Sequence, residues 1–185
     1  ACGTSRFATM TGKFCSRSEN ARARTLANNP SATRTLATIP NTKLIDDDCS
    51  ANNIPTTLRA DGYRTGVVGK WHLTSYRSGM AYSTQQEDIQ TCGFDYADGI
   101  YLENIQGDFV SDGDFSHNME WVTAKAIDFI NTTDSSQPFF LYFNPTIPHS
   151  PSVKTALSDY SCTKTPNGDL AVEPSVAGMT EGTTC

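Results

Sequence analysis

No apolar stretch of this 185-residue chain approaches the roughly 18 to 20 residues that span a bilayer, and no secretory leader is visible at its start. A membrane span within the chain is therefore not expected. Basic runs are also missing: 14 Lys plus Arg face 20 Asp plus Glu, for a formal net charge of -6. Neither nucleic acid nor an anionic membrane is an expected partner, and an anionic substrate would need a local positive pocket. CxxC pairs are absent, which argues against a zinc site. Internal repeats are absent too, which leaves one domain of ordinary size with a sizeable core. The chain opens at Ala-Cys without a methionine, so an upstream segment is expected.

The six cysteines, Cys2, Cys15, Cys49, Cys92, Cys162 and Cys185, are compatible with a disulfide-forming compartment. Setting Cys2 aside for chemistry leaves an odd number, hence a free thiol or a partner elsewhere. The sequon Asn131-Thr132-Thr133 makes Asn131 a glycosylation candidate and fits a secreted protein.

Residues 15–43, rich in Ser, Arg, Asn, Ala and Thr, read as a surface loop with some helix. Pro55 suits a first helical turn and Gly62 a stop, which predicts a short helix over 55–61 and a strand over 63–69. Residues 74–92 read as a polar connection and 95–105 as turn-like. Met119, Val122, Ala126, Phe129 and Ile130 recur at helical spacing within 116–130. The unalternating run PFFLYFN over 138–144 predicts a strand covered on both faces. Strand, helix and strand in succession predict an α/β protein with a mainly parallel central sheet flanked by helices. Residues 1–150 are expected to form the body of the domain and 151–185 an irregular continuation of it.

Ligands of open α/β sheets gather beyond the carboxyl ends of strands. GVVGKWHL puts Lys70 and His72 at one such end, and NPTIPHSP puts His149 at another. A helix over 4–11 would hold Cys2 at its amino end, where free amides favour an anion, with Arg6 one turn in. Arg grips a tetrahedral oxyanion with two prongs, Lys supplies a compact charge and His a proton. Together they describe a sulfate or phosphate site. Trp71 reads as packing, His117 as structural, and Asp46, Asp47 and Asp48 as a solvated loop.

These segments resemble the type I sulfatases of the alkaline phosphatase superfamily. CGTSRFATMTGK is similar to the first signature of that family, LRADGYRTGVVGKWHL to the second, and PFFLYFNPTIPHSP to its later strand and histidine. GFDYADGIYLEN and SHNMEWVTAKAIDFI are similar to the segments between. The resemblance implies an alkaline phosphatase-like fold, represented in part, without its N-terminal strand and its later metal site. It implies that Cys2 is oxidised to formylglycine (3-oxoalanine) by a formylglycine-generating enzyme, and that the hydrate serves as nucleophile and as a ligand to Ca2+. Arg6 would orient that hydrate, and Lys70 would hold a sulfate oxygen. His72 would assist release of sulfate, and His149 would bind sulfate and protonate the leaving alcohol.

The implied substrate is a sulfated small molecule or glycan, and the implied location is secreted, periplasmic or lysosomal. The fragment alone would be inactive. A phosphatase or phosphodiesterase of the same superfamily is the alternative enzyme. A non-catalytic binder of sulfated glycans is the alternative from another class, favoured by Thr4, which stands where the family usually has Pro or Ala, and by the family's metal ligands that are not in this chain.

Overall fold

The computed structural model describes residues 2–14, 17, 53–74, 80–102, 118–147 and 163–172, with only the backbone of Cys2 included. Helix α1 (Cys2–Thr11) turns Phe7 and Met10, three residues apart, onto one buried face. Gly12 ends it in the left-handed region, φ 67°, with its N–H on the Ala8 carbonyl at 2.9 Å. Helix α2 (Ile54–Ala60) is capped by Asn53, whose Oδ1 accepts from the Thr56 N–H at 2.8 Å, and Pro55 sits in its first turn. Gly62, φ 89°, then releases the chain into β1 (Arg64–Lys70). The predicted helix and strand agree with these bounds to within one residue.

Strands β2 (Tyr96–Tyr101) and β3 (Phe139–Asn144) flank β1, both parallel to it, in the order β2-β1-β3. The expected α/β architecture with a parallel sheet is thus present. Between β2 and β3 the chain forms α4 (Met119–Asn131), which buries Trp121, Val122, Ala126 and Phe129 against the sheet. Asn118 caps it by accepting from the Trp121 N–H at 2.9 Å. A Cβ on Gly66 would stand 2.6 Å from the Phe129 ring, so the missing side chain is what lets helix and strand meet this closely.

Four expectations are corrected. Within the supposed polar connection, Tyr82–Gln90 is helix α3. Its buried face, Tyr82, Gln85 and Ile89, carries a single aliphatic residue, so its apolar period is too weak to read. The helix is held instead by Tyr82, whose hydroxyl donates to Asp98 Oδ1 and accepts from the Ile100 N–H, each at 3.0 Å.

The supposed turn after residue 95 is strand β2, in which Asp98 and Gly99 punctuate a continuous ladder. Gly99 has φ 64°, and the register with β1 shifts between Val67 and Gly69. β3 is not covered on both faces, because it is the edge of the described sheet, and Phe139 and Phe143 remain 45% and 40% exposed.

The stretch expected to be irregular contains an antiparallel hairpin, β4 (Lys164–Thr165) and β5 (Gly168–Asp169), turned by Pro166 and Asn167. Asn118 Nδ2 donates to the Lys164 carbonyl at 3.2 Å and so fastens this hairpin to the start of α4.

Candidate active site

Lys70 is the last residue of β1 and is 3% exposed. It stands at the carboxyl end of the central strand, where the crevice of an open parallel sheet is expected. Arg6, projecting from α1, donates through Nη1 to the Lys70 main-chain carbonyl at 2.6 Å. This bond ties the second turn of α1 to the end of β1, so two cationic side chains belong to one junction.

Beyond Lys70 the chain stays bonded to β2: the Trp71 N–H reaches the Tyr101 carbonyl at 2.8 Å and the His72 N–H reaches the Leu102 carbonyl at 2.7 Å. Trp71 is fully buried with its ring edge-on to Phe94 at 5.6 Å, in keeping with a packing role. His72 takes φ 60°, a left-handed conformation that costs a residue with a side chain about 1–3 kcal/mol. Its own N–H bond and the buried residues on either side, Trp71 and Leu73, hold it there. The structure therefore places a backbone turn at a half-buried histidine two residues after Lys70.

Among the residues proposed from sequence, Arg6, Lys70 and His72 are brought to the same end of β1. The side chain of Cys2 and the whole of His149 lie outside the described residues, as do His117 and Asp46, Asp47 and Asp48. Cys2 begins α1, and its backbone occupies the amino end of that helix as expected. Asn131 ends α4 with an exposed side chain. The hydroxyl of Thr133 in the same triplet donates to the Phe129 carbonyl at 2.7 Å and accepts from Arg64 Nη1 at 2.8 Å. Among the described residues no three His, Cys, Asp or Glu side chains gather as donors for a metal ion, so these residues by themselves do not fit a calcium site. No helix among them is long and apolar enough to cross a membrane.

Two tyrosines have strongly shifted ionisation, and both are structural. Burial, then the nearby Asp98 carboxylate, pushes Tyr82 well above the ordinary tyrosine range, and the same two causes in the same order raise Tyr96. Asp98 is itself paired with Lys125 at 2.7 Å. This cluster locks β2 to α3 and α4. Asn144 is a residue that sequence reasoning passed over: it ends β3 in register with Gly69, and the signal was a polar residue closing an apolar run.

A sulfatase family model matches residues 1–174. The chain belongs to the sulfatase family. Over 95 residues the sulfatase chain is 30% identical to an N-acetylglucosamine-6-O-sulfatase of Bacteroides thetaiotaomicron, a match covering 51% of this chain and 16% of the relative. It is also similar to a protein solved in complex with its substrate D-glucosamine-2-N,6-O-disulfate, with a TM-score of 0.44 and 19% identity, over 82% of this chain and 26% of that one. The chain thus spans about a sixth of the curated relative and about a quarter of the solved structure.

Proposed function

We propose that the protein carrying this chain hydrolyses sulfate esters, and that residues 1–150 belong to its catalytic α/β domain with 151–185 continuing it. The observation that carries this reading, within a chain of the sulfatase family, is the junction of α1 with β1, where Arg6 bonds the Lys70 carbonyl two residues before His72. Cations fixed at the end of a buried strand suit an ester that is anionic before, during and after cleavage.

In this reading Cys2 is converted to formylglycine, and a hydroxyl of its hydrate attacks the sulfur of the ester. The bond from sulfur to the alcohol oxygen breaks, and His149 gives that oxygen its proton. Lys70 holds a non-bridging oxygen throughout, and Arg6 orients the hydrate. His72 then takes the proton of the remaining hydroxyl as sulfate departs and the carbonyl re-forms, and addition of water to that carbonyl restores the hydrate. Splitting hydrolysis in this way replaces one hard displacement by two easier steps. Calcium would supply Lewis acidity from oxygen ligands. Its donors would come from Cys2 in its modified form and from residues outside those described.

The substrate class in this reading is a sulfated small molecule or glycan, which the name of the N-acetylglucosamine-6-O-sulfatase relative supports. A secreted, periplasmic or lysosomal location with Asn131 glycosylated is supported by the exposure of Asn131 and by Cys92, whose sulfur is taken up in a disulfide. The test is turnover of a chromogenic aryl sulfate by the full-length protein co-expressed with a formylglycine-generating enzyme, alongside the matching phosphate ester. Cleavage of the sulfate ester that is lost in Cys2→Ala is expected. Verified formylglycine without turnover would overturn the reading, and faster cleavage of the phosphate ester would replace it with the phosphatase alternative. Thr4 favours a second reading, a binder of sulfated glycans, which an unmodified Cys2 in peptide mass spectra would support.

A further inference from the structure

We propose that Asn144 is a substrate-contacting residue of the same site, its side-chain amide donating to an oxygen of the bound sulfate group. The proposal rests on the sulfatase reading and adds a residue to it. Asn144 is the last residue of β3, and its Cα pairs with that of Gly69, the neighbour of Lys70. The two strands come close there: a Cβ on Gly69 would stand 2.0 Å from the Asn144 carbonyl oxygen, and the φ of 90° at Gly69 is one that glycine adopts readily. Asn144 is therefore held by main-chain packing at the strand end where Arg6 meets Lys70.

Its side chain leaves the sheet on a definite side. Along β3, residues alternate, and Phe139 meets Phe129 of α4 with ring centres 5.8 Å apart. Phe140, Tyr142 and Asn144 accordingly occupy the face turned away from α4. The Nδ2 atom of Asn144 is buried and has no hydrogen-bond acceptor. Such a donor destabilises the fold unless something accepts from it, and a bound group that accepts there removes that cost.

The basic residues that end β1 and pack on it select the acceptor. Arginine and lysine side chains are donors only, as is the amide nitrogen of asparagine, whereas a sulfate group presents oxygens that accept and no donor. Lys70 and Arg6 attract the anion from a distance by charge. A neutral amide on a rigid strand end adds direction: it fixes one oxygen, and so the rotation of the group about the bond to be broken.

The proposal is tested in the full-length enzyme with Asn144→Ala, Asn144→Asp and Asn144→Ser, reading three quantities: KM for an aryl sulfate, the inhibition constant of inorganic sulfate, and the thermal midpoint. Loss of one hydrogen bond to a charged group predicts that KM and the inhibition constant both rise about tenfold in Asn144→Ala. The rise is larger in Asn144→Asp, where a carboxylate opposes the anion, and smaller in Asn144→Ser, which keeps a donor. The thermal midpoint is expected to stay level or rise, because the removed donor had no partner in the protein. A wild-type inhibition constant in the alanine and serine variants overturns the proposal whatever the midpoint does, and a falling midpoint beside it would identify a structural partner. These outcomes differ from failure of the sulfatase reading itself, in which the unaltered enzyme neither cleaves the aryl sulfate nor binds sulfate.

Discussion

Strands β1 and β3 run side by side, paired from Arg64↔Phe139 to Gly69↔Asn144, yet their sequences and their burial are opposed. β1, RTGVVGK, includes two glycines and two charged residues and is buried along almost its whole length. β3, FFLYFN, is far more hydrophobic and is only half-buried. Burial here follows neighbours. β1 has a strand on each side and α4 pressed on it through Gly66, while β3 has a partner on one edge only among the described residues. Small residues in β1 let other elements approach, and the large ones in β3 compensate in part for having fewer neighbours.

If that contrast is right, added atoms should do most harm in β1. Gly69→Ala introduces a Cβ against main chain at a positive φ, and a loss of about 3 kcal/mol or more in denaturant-induced unfolding is expected. Gly66→Ala meets the Phe129 ring, a side chain that can shift, so a smaller loss of about 2 kcal/mol is expected by the same measurement.

Arg64→Met tests the first residue of β1. It removes Nη1 bonds to the Phe129 carbonyl at 3.1 Å, Thr132 Oγ1 at 3.0 Å and Thr133 Oγ1 at 2.8 Å, and a guanidinium 4.8 Å from the Phe129 ring. A loss of about 1–2 kcal/mol is expected, with a lower thermal midpoint.

Tyr82 and Tyr96 give an effect that is absent at neutral pH. Their folded ionisation lies above the unfolded value of 10.0, so the unfolded chain sheds these protons first. Stability is then unchanged below about pH 10 and falls above it, and an absorbance titration should show both phenols ionising late. The smallest effect belongs to β3: Phe143→Thr, at a position 40% exposed, should alter stability by no more than about 1 kcal/mol. A loss as large as that for Gly66→Ala would contradict the contrast between the two strands.

The strand end that gathers Arg6, Lys70 and His72 was more legible than parts of the fold around it. Lys70 and His72 could be located because a glycine-bearing apolar run ended in them, and Arg6 because it lies one helical turn beyond Cys2. What could not be read was that Arg6 bonds a main-chain carbonyl 64 residues away in sequence. Helix α3 escaped for a related reason: Tyr82 is fixed by β2 and by its aromatic contact to Trp121, partners remote in sequence, and an apolar period does not record them. Strand β2 escaped because Asp98 and Gly99 look like a turn, and only the Tyr82 hydroxyl and Lys125 make them acceptable within a ladder.

The sequence by itself determined the strand ends that carry basic residues, the caps and stops of α2, and the amphipathic stripe of α4. All of these depend on residues within a turn or two of one another. Only the tertiary structure decided which strand is central, which apolar residues stay exposed, and that the amide of Asn144 is buried beside Gly69 without an acceptor. Those depend on contacts between segments far apart in the chain, and local propensity carries no information about them.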